Sequence, residues 1–525
     1  MLYRTALVFL LSSTSHAATL IVDTTSDSQL DACIDLAPAD CSLRGAIERA
    51  NALPGADVIH FAMTESDAGY QVDTAHWRIS AASALPNVLD ALVIDGLTQP
   101  GAAPNAQPSP APIAHVLKIE VRGPNNADDG FTAYAPLTLR GLVLNQWRRA
   151  VFQFNPGPNV VEGNHIGVDI SGQTAVPNGT GITLGGDVRV GGTNPAQRNV
   201  IAANRDYGLS TQYGLTRLRI QGNIIGASAD LTAVPGRQDF GMYLLDPRDT
   251  QIGGATAAEG NTISGNGFSA IAISASGFQT TDGIAHARVQ GNRIGIGLDD
   301  RALGNGRASN FPAVLVGIGG FCRVLIGGDG PGEGNVIAHN RHAGVAIGSC
   351  WRAPIVGNVF SGNHGIAIDL AGSNGFDGPT DNDTDDADAP GTDPVGVYGG
   401  NRFQNHPIIT LPADFVADGG GSSVALSYVV DSAPAFSSYP LTVHFHRGGC
   451  HGGGRELIAS DTYGESDAQQ PRAFLLEGDG NILPLTALAV DADGNTSEFS
   501  TLVGDPVFVD GLETDPATFG PGRCD

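Results

Sequence analysis

What this sequence lacks narrows the reading first. Lysine is nearly missing: of 28 basic residues only Lys118 is a lysine, set against 54 acidic residues and a formal net charge of −26. A chain this acidic is a poor general binder of nucleic acid, because phosphate contacts need clustered cations. It also repels anionic polysaccharide unless a local basic stripe or bridging calcium intervenes. Charge of either sign is scarce, at 16% against 41% hydrophobic residues, which argues against disorder. No apolar run is long enough to span a bilayer, so no transmembrane segment is expected. No Cys-x-x-Cys occurs, which turns the six cysteines away from zinc and toward disulfides.

Glycine is what the chain has in excess: 72 of 525 residues, about twice the usual ~7%. No collagen-like triplet goes with it, so the glycines point to many tight turns in an all-β protein. The length exceeds one ordinary core, which calls for several domains or a repeat architecture. Residues 1–17 read as a Sec signal peptide: Arg4 supplies the positive end, Ala6 to Leu11 the apolar core, and Ser15-His16-Ala17 a small-x-small cleavage site. A secreted or cell-surface destination follows as an expectation. In that oxidising setting the pairing expected by position is Cys33–Cys41, Cys322–Cys350 and Cys450–Cys524.

Internal repetition decides the fold class. Gly-Asn-x-Ile-Gly occurs at 163–167, 222–226 and 291–295, with a degenerate copy at Gly357-Asn358-Val359-Phe360. After each full copy comes an apolar-Gly-Gly string, at Val190-Gly191-Gly192, Ile252-Gly253-Gly254 and Ile326-Gly327-Gly328. An Asn-x-Ile string follows, beginning at Asn199, Asn261 and Asn335, and then a further Asn at 204, 266 and 340. Recurrence every ~60–70 residues predicts a superrepeat of about three coils of a right-handed parallel β-helix. Alternating runs such as Ala270-Ile271-Ala272-Ile273 supply strands with one apolar face. The repeated Asn and Gly therefore belong to turns, where stacked Asn side chains can hydrogen-bond along the axis. A catalytic residue should instead occur once, out of phase.

Solenoid ends need caps. Asp40-Cys41-Ser42 precedes a helical stretch from Leu43 to Ala52, with Leu43, Ala46, Ile47 and Ala50 on one face, and Val58 to Phe61 follows as a strand. Cys41-Ser42-Leu43-Arg44-Gly45-Ala46-Ile47 with Ala50-Asn51 resembles the bacterial family of exported proteins carrying a CSLREA domain, with Gly45 where that family has Glu. Ala84-Leu85-Pro86 and Ile94 to Gly101 also look like its first coils. The resemblance implies a secreted or surface β-helix; the family brings no single activity with it. The expected organisation is a signal peptide (1–17), an N-terminal cap (18–60), the β-helix (61–370), an acidic loop and helix end (371–410), a small Ig-like β-sandwich (411–503) and a tail (504–525).

In the acidic loop, Asp377, Asp381, Asp383, Asp385 and Asp388 carry the alternating carboxylates of a calcium site but lack the Gly and Glu of an EF-hand, so calcium stands beside a solvated linker. His444, His446 and His451 beside Cys450 invite a metal site, but a disulfide cysteine with surface histidines is the preferred reading. Two function classes remain. One is a structural, adhesive or glycan-binding surface protein, acting as a monomer. It is favoured by a stripe of Arg217, Arg219, His286, Arg288 and Arg352 placed in phase on one outward face. The other is a polysaccharide lyase or glycoside hydrolase acting on an extracellular acidic polysaccharide. Lys118, Glu120 and Arg122 alternate on one strand face as a lyase would need, or as a salt-bridged surface would. The ordered signatures of pectinase-like hydrolases are absent: Asp299-Asp300 stands alone, and Asn363-His364-Gly365 replaces their His motif. Binding is favoured over catalysis, and no catalytic residue is assigned.

Overall fold

The computed structural model describes residues 17–34, 37–155, 157–211, 217–274, 287–308, 310–317, 320–321, 323–348, 350–371, 378–382, 399–412, 423–449, 453–478 and 482–504. Short strands stack in three sheets, of eleven strands (sheet 1, first strand Thr19–Val22), nine (sheet 2, first strand Phe131–Ala133) and eleven (sheet 3, first strand Tyr70–Gln71), all parallel except that Tyr70–Gln71 pairs antiparallel with His76–Ser80. The chain visits sheets 1, 3 and 2 in turn, as in Asn159–Glu162, His165–Ile166 and Thr180–Leu184, then returns to sheet 1 at Val188–Gly191. The protein is a parallel β-helix. Its interior is a single apolar column in which Val161, Ile166, Ile182, Val190, Ile201 and Leu209 are fully buried.

The corners explain the repeated asparagines. Between sheets 1 and 3, the buried Asn164, Asn199, Asn223, Asn261, Asn292, Asn335 and Asn358 form one ladder, each donating its amide to the side-chain oxygen of the next at 2.8–3.2 Å. A second ladder between sheets 3 and 2 runs through Asn178, Asn204, Gln238, Asn266, Asn305, Asn340 and Asn363. This corrects the expected period. Asn164 and Asn199 hold the same corner of consecutive coils, so the superrepeat is two coils, not three. The apolar-Gly-Gly and Asn-x-Ile strings bracket a single corner, held apart by an inserted loop that includes the short turn Pro195–Gln197. Glycine is required beside these corners. At Gly226 φ is +90°, and a Cβ would stand 2.3 Å from the Ser264 carbonyl oxygen.

The N-terminal helix forms over Leu43–Ala52, capped by Ser42, whose Oγ accepts from the Gly45 N–H at 3.0 Å. Its Leu43, Ala46, Ile47 and Ala50 join Leu20, Val22 and Ile59 at the end of the apolar column. Cys33 and Cys41 are bridged beside it. A Cβ at Gly45 would lie 1.8 Å from the Leu30 carbonyl oxygen, so no side chain has room at this position of the helix. Cys350 is also disulfide-bonded; its expected partner Cys322, like Cys450 and Cys524, lies outside the described residues.

The C-terminal unit has two three-stranded antiparallel sheets around its own apolar cluster. Two strands escaped the sequence reading, Gly454–Tyr463 and Ile408–Thr410. The latter pairs with Ser423–Val429, so the unit begins before residue 411. Residues 491–500 turn back from Leu485–Val490 and run antiparallel beside it, with the Ser497 N–H on the Ala489 carbonyl at 2.8 Å and the Ser500 N–H on the Ala487 carbonyl at 2.7 Å. They also close the open end of the β-helix. Asn495 accepts from the Arg352 N–H at 2.8 Å, Thr496 from the Ile355 N–H at 2.9 Å, and Glu498 from the Leu370 N–H at 2.9 Å. Side chains thus satisfy the edge donors that another coil would otherwise satisfy.

Candidate functional site

Strand alternation fixes what sheet 2 shows to solvent. Val151, Ile182, Leu209 and Met242 stack in register toward the core. Their neighbours Phe152, Thr183, Ser210 and Tyr243 therefore stack on the outer face. A second column at the strand starts runs through Arg149, Thr180, Tyr207 and Phe240. Within these columns Phe152, Thr180 and Thr183 are buried, while Tyr207, Ser210, Phe240 and Tyr243 are half-buried and reach solvent.

At one end, Tyr207 stacks on Phe240 with centroids 5.7 Å apart, and Tyr243 lies 5.5 Å from each. Phe268 and Phe311 continue the cluster edge-on, at 5.1 and 5.9 Å from Phe240. All five rings are half-buried. Burial, with Tyr243, Asp206 and Asp239 close by, raises the Tyr207 phenol pKa and keeps it neutral. At the other end the Arg149 guanidinium lies 3.4 Å over the Phe152 ring. Phe154 meets Phe152 edge-on at 3.9 Å and stacks flat on Tyr134 at 5.2 Å. Tyr134 and Phe154 are 51% and 47% exposed, unusual for large rings. Between the ends, the Thr183 and Ser210 hydroxyls are 3.2 Å apart. Three arginines here are paired, Arg148 and Arg149 with Asp129 and Arg237 with Asp239, while Arg205, two residues before Tyr207, is exposed with no ion pair among the described residues. Burial opposes it, but the hydrogen bonds from Arg149 and Arg148 hold the Asp129 carboxyl below its usual range.

Sequence reasoning missed this face. Its only signal was an aromatic two or three residues after a second-ladder position, as Tyr207 follows Asn204, Phe240 follows Gln238 and Phe268 follows Asn266.

The arginine stripe is placed differently from expectation. Arg219 and Arg288 do share a column on sheet 1, with Arg189 and Gln251. Acids from neighbouring turns fold onto it: Arg189 pairs with Glu162 at 2.7 Å, Arg217 with Asp187 at 2.8 Å, and Arg219 with Asp249 at 3.3 Å. Arg352 belongs to the junction with the C-terminal unit, paired with Asp493 at 2.9 Å. His286 lies outside the described residues. The stripe as drawn from sequence counted cations without their partners, and of its four arginines only Arg288 is exposed with no ion pair among the described residues.

Lys118, Glu120 and Arg122 are committed to structure. Lys118 Nζ donates to the Ala75 carbonyl at 2.7 Å, and Arg122 donates to Gln146 at 2.7 Å. Burial opposes ionisation of Glu120, but hydrogen bonds from His76, Asn145 and Arg78 bring its pKa down to about 2. A carboxylate held that firmly is a poor proton acceptor. His444 and His446 sit inside a sheet; His444 contacts Ser460 Oγ at 2.9 Å, and His446 packs edge-on against Phe499. Burial lowers the His446 pKa to about 3, so it is neutral. His451 is outside the described residues. Of the calcium candidates only Asp381 is described; Asp377, Asp383, Asp385 and Asp388 are not. Among the described residues no helix is long and apolar enough to cross a membrane.

Fold and face together define a parallel β-helix protein with a ring-rich solvent face on one sheet. No family model and no curated protein matches the chain. Among solved structures it is similar to the A-module of the Azotobacter vinelandii mannuronan C-5 epimerase AlgE4, with 14% identity and a TM-score of 0.32, covering 68% of this chain and 98% of that one. It is also similar to the Dettilon tailspike protein gp208 (13% identity, TM-score 0.29, covering 92% and 94%). A third is ORF18 of Geobacillus virus E2 (11% identity, TM-score 0.26, covering 87% and 71%).

Proposed function

We propose that this is an exported glycan-binding protein, adhesive rather than catalytic, whose binding surface is the outer face of sheet 2. The observation that carries the reading is the run of contiguous rings from Tyr207 to Phe311 on a face open to solvent. Exposed apolar surface is costly unless a partner covers it, and rings in a row mark such partners. Aromatic faces stack on the C–H faces of pyranose rings, and adjacent hydroxyls such as Ser210 take up the sugar hydroxyls. The Cys33–Cys41 bridge suits the same extracellular setting.

An immobilised glycan panel tests the reading. The wild-type chain is expected to be retained, and the Arg189→Ala/Arg219→Ala/Arg288→Ala variant to be retained within about twofold, since electrostatics supplies little of the affinity here. Retention lost with the arginines would return the site to sheet 1 and to acidic glycans.

A further inference from the structure

The corner between sheets 3 and 2 borders the ring cluster and carries charges that the fold leaves unused. Asn204, Gln238, Asn266, Asn305 and Asn340 hold this corner on five successive coils. The residue after each leads the chain toward sheet 2: Arg205, Asp239, Gly267, Gly306 and Arg341. Arg205 and Arg341 therefore stand at one corner four rungs apart, ~19 Å at ~4.8 Å per rung. Arg307 lies between them. It follows Gly306 in a segment whose Ala308 N–H donates to the Gly267 carbonyl at 2.7 Å. That segment leads to Phe311, with its ring 5.9 Å from Phe240 and 5.4 Å from Phe268.

Arg205, Arg307 and Arg341 are exposed, and none has an ion pair among the described residues. Acids at this corner are fewer. Asp239 is buried and already binds Arg237 at 2.7 Å. Asp206 is exposed and close enough to Tyr207 to help raise its phenol pKa. With Arg237, four arginines thus meet two carboxylates, a local surplus of cation on a chain whose net charge is −26. One unpaired surface arginine is ordinary. Three of them bordering a solvent-open ring cluster suit a ligand that offers an apolar face and an anion together. A sugar acid does both: its C–H face stacks on a ring, and its carboxylate or sulfate reaches a guanidinium at the rim.

Resting on the glycan-binding reading, we infer that the ligand is an acidic polysaccharide, its sugar rings on the Tyr207 to Phe311 cluster and its anionic groups on Arg205, Arg307 and Arg341. The rings supply most of the affinity and the arginines the choice of ligand. The acidic whole opposes binding only at long range. At about 0.1 M salt, charges beyond ~10 Å are largely screened, and the arginines of the corner decide.

Calorimetry in about 0.1 M salt tests this, with an oligogalacturonate, a sulfated galactan oligosaccharide and a neutral cello-oligosaccharide of equal length. At least one anionic probe is expected to bind roughly tenfold tighter than the neutral one, and the tighter of the two tells carboxylate from sulfate. In about 1 M salt, where screening sets in at ~3 Å, that preference should vanish. Arg205→Ala/Arg307→Ala/Arg341→Ala should bring the anionic probe to the neutral level, with neutral affinity and melting temperature unchanged. A neutral probe bound as tightly as both anionic ones would overturn the acidic ligand and leave glycan binding standing. An acidic preference surviving in the triple variant would overturn the corner as its source. No binding of any glycan would overturn both this inference and the function it rests on.

Discussion

Replacing Asn223 by alanine is expected to destabilise the β-helix by about 3–5 kcal/mol, since several buried partners lose their hydrogen bonds at roughly 1–3 kcal/mol each. The Asn223 amide donates to the Val190 carbonyl at 3.0 Å, to the Gln221 carbonyl at 2.9 Å and to Asn261 Oδ1 at 3.0 Å. Its oxygen accepts from the Asn199 amide at 2.8 Å and the Asn199 N–H at 3.3 Å. The site is fully buried, so water cannot replace what is removed. The damage also spreads: Asn199 is itself a rung, and its misplacement loosens the next coil. Denaturant unfolding of the variant is the measurement. A loss below about 1 kcal/mol would mean that the ladder decorates the corner and the apolar column alone holds it.

The second large effect concerns pH and lies at the far end of the rod. Glu498 is nearly fully buried; its carboxyl accepts from the Leu370 N–H at 2.9 Å and the Thr380 N–H at 2.7 Å. Burial dominates and, with Asp369 adding repulsion against the hydrogen bonds, lifts its pKa from 4.5 to about 7. A raised folded pKa on an acid means that the folded state holds more protons than the unfolded state between those values. Stability from this group is therefore greatest below pH ~4.5 and falls as pH rises to ~7, by about 3 kcal/mol in all. Carboxylates with lowered pKa, such as Glu120, act oppositely but only at lower pH. The expectation is that closure of the β-helix end weakens between pH 5 and 7. Glu498→Gln should remove that slope. A wild-type stability profile that is flat across this window would place the proton elsewhere.

The legibility of this fold in the sequence follows from how its parts repeat. Asn164, Asn223 and Asn292 recur with identical neighbours, so the β-helix and its Asn-rich corners were readable without coordinates. The helix at Leu43–Ala52 was readable because its cap, apolar face and stop are local. The coil count was not: the loop between Gly192 and Asn199 makes one corner look like two signals. Charge neutralisation was hidden for the opposite reason, since the partner of Arg217 is Asp187, a full coil earlier in the chain. The same distance concealed the ring face, to which each coil gives only a residue or two. Junction contacts such as Glu498 to Leu370 join residues 128 apart, with no periodicity to announce them.

The reading stands or falls on whether the rings of sheet 2 hold the glycan. Tyr207, Phe240 and Tyr243 lie on the outer face, half-exposed, so the Tyr207→Ala/Phe240→Ala/Tyr243→Ala variant should still form the β-helix around its intact column. Affinity electrophoresis in gels each containing one polysaccharide of the glycan panel, compared with a gel without it, isolates the binding step. The wild-type chain is expected to be retarded and the triple variant to migrate freely, a loss on the order of a hundredfold in affinity if each ring contributes about 1 kcal/mol. Equal retardation of the two proteins, with the variant shown to be folded by its unchanged melting temperature, would contradict the account.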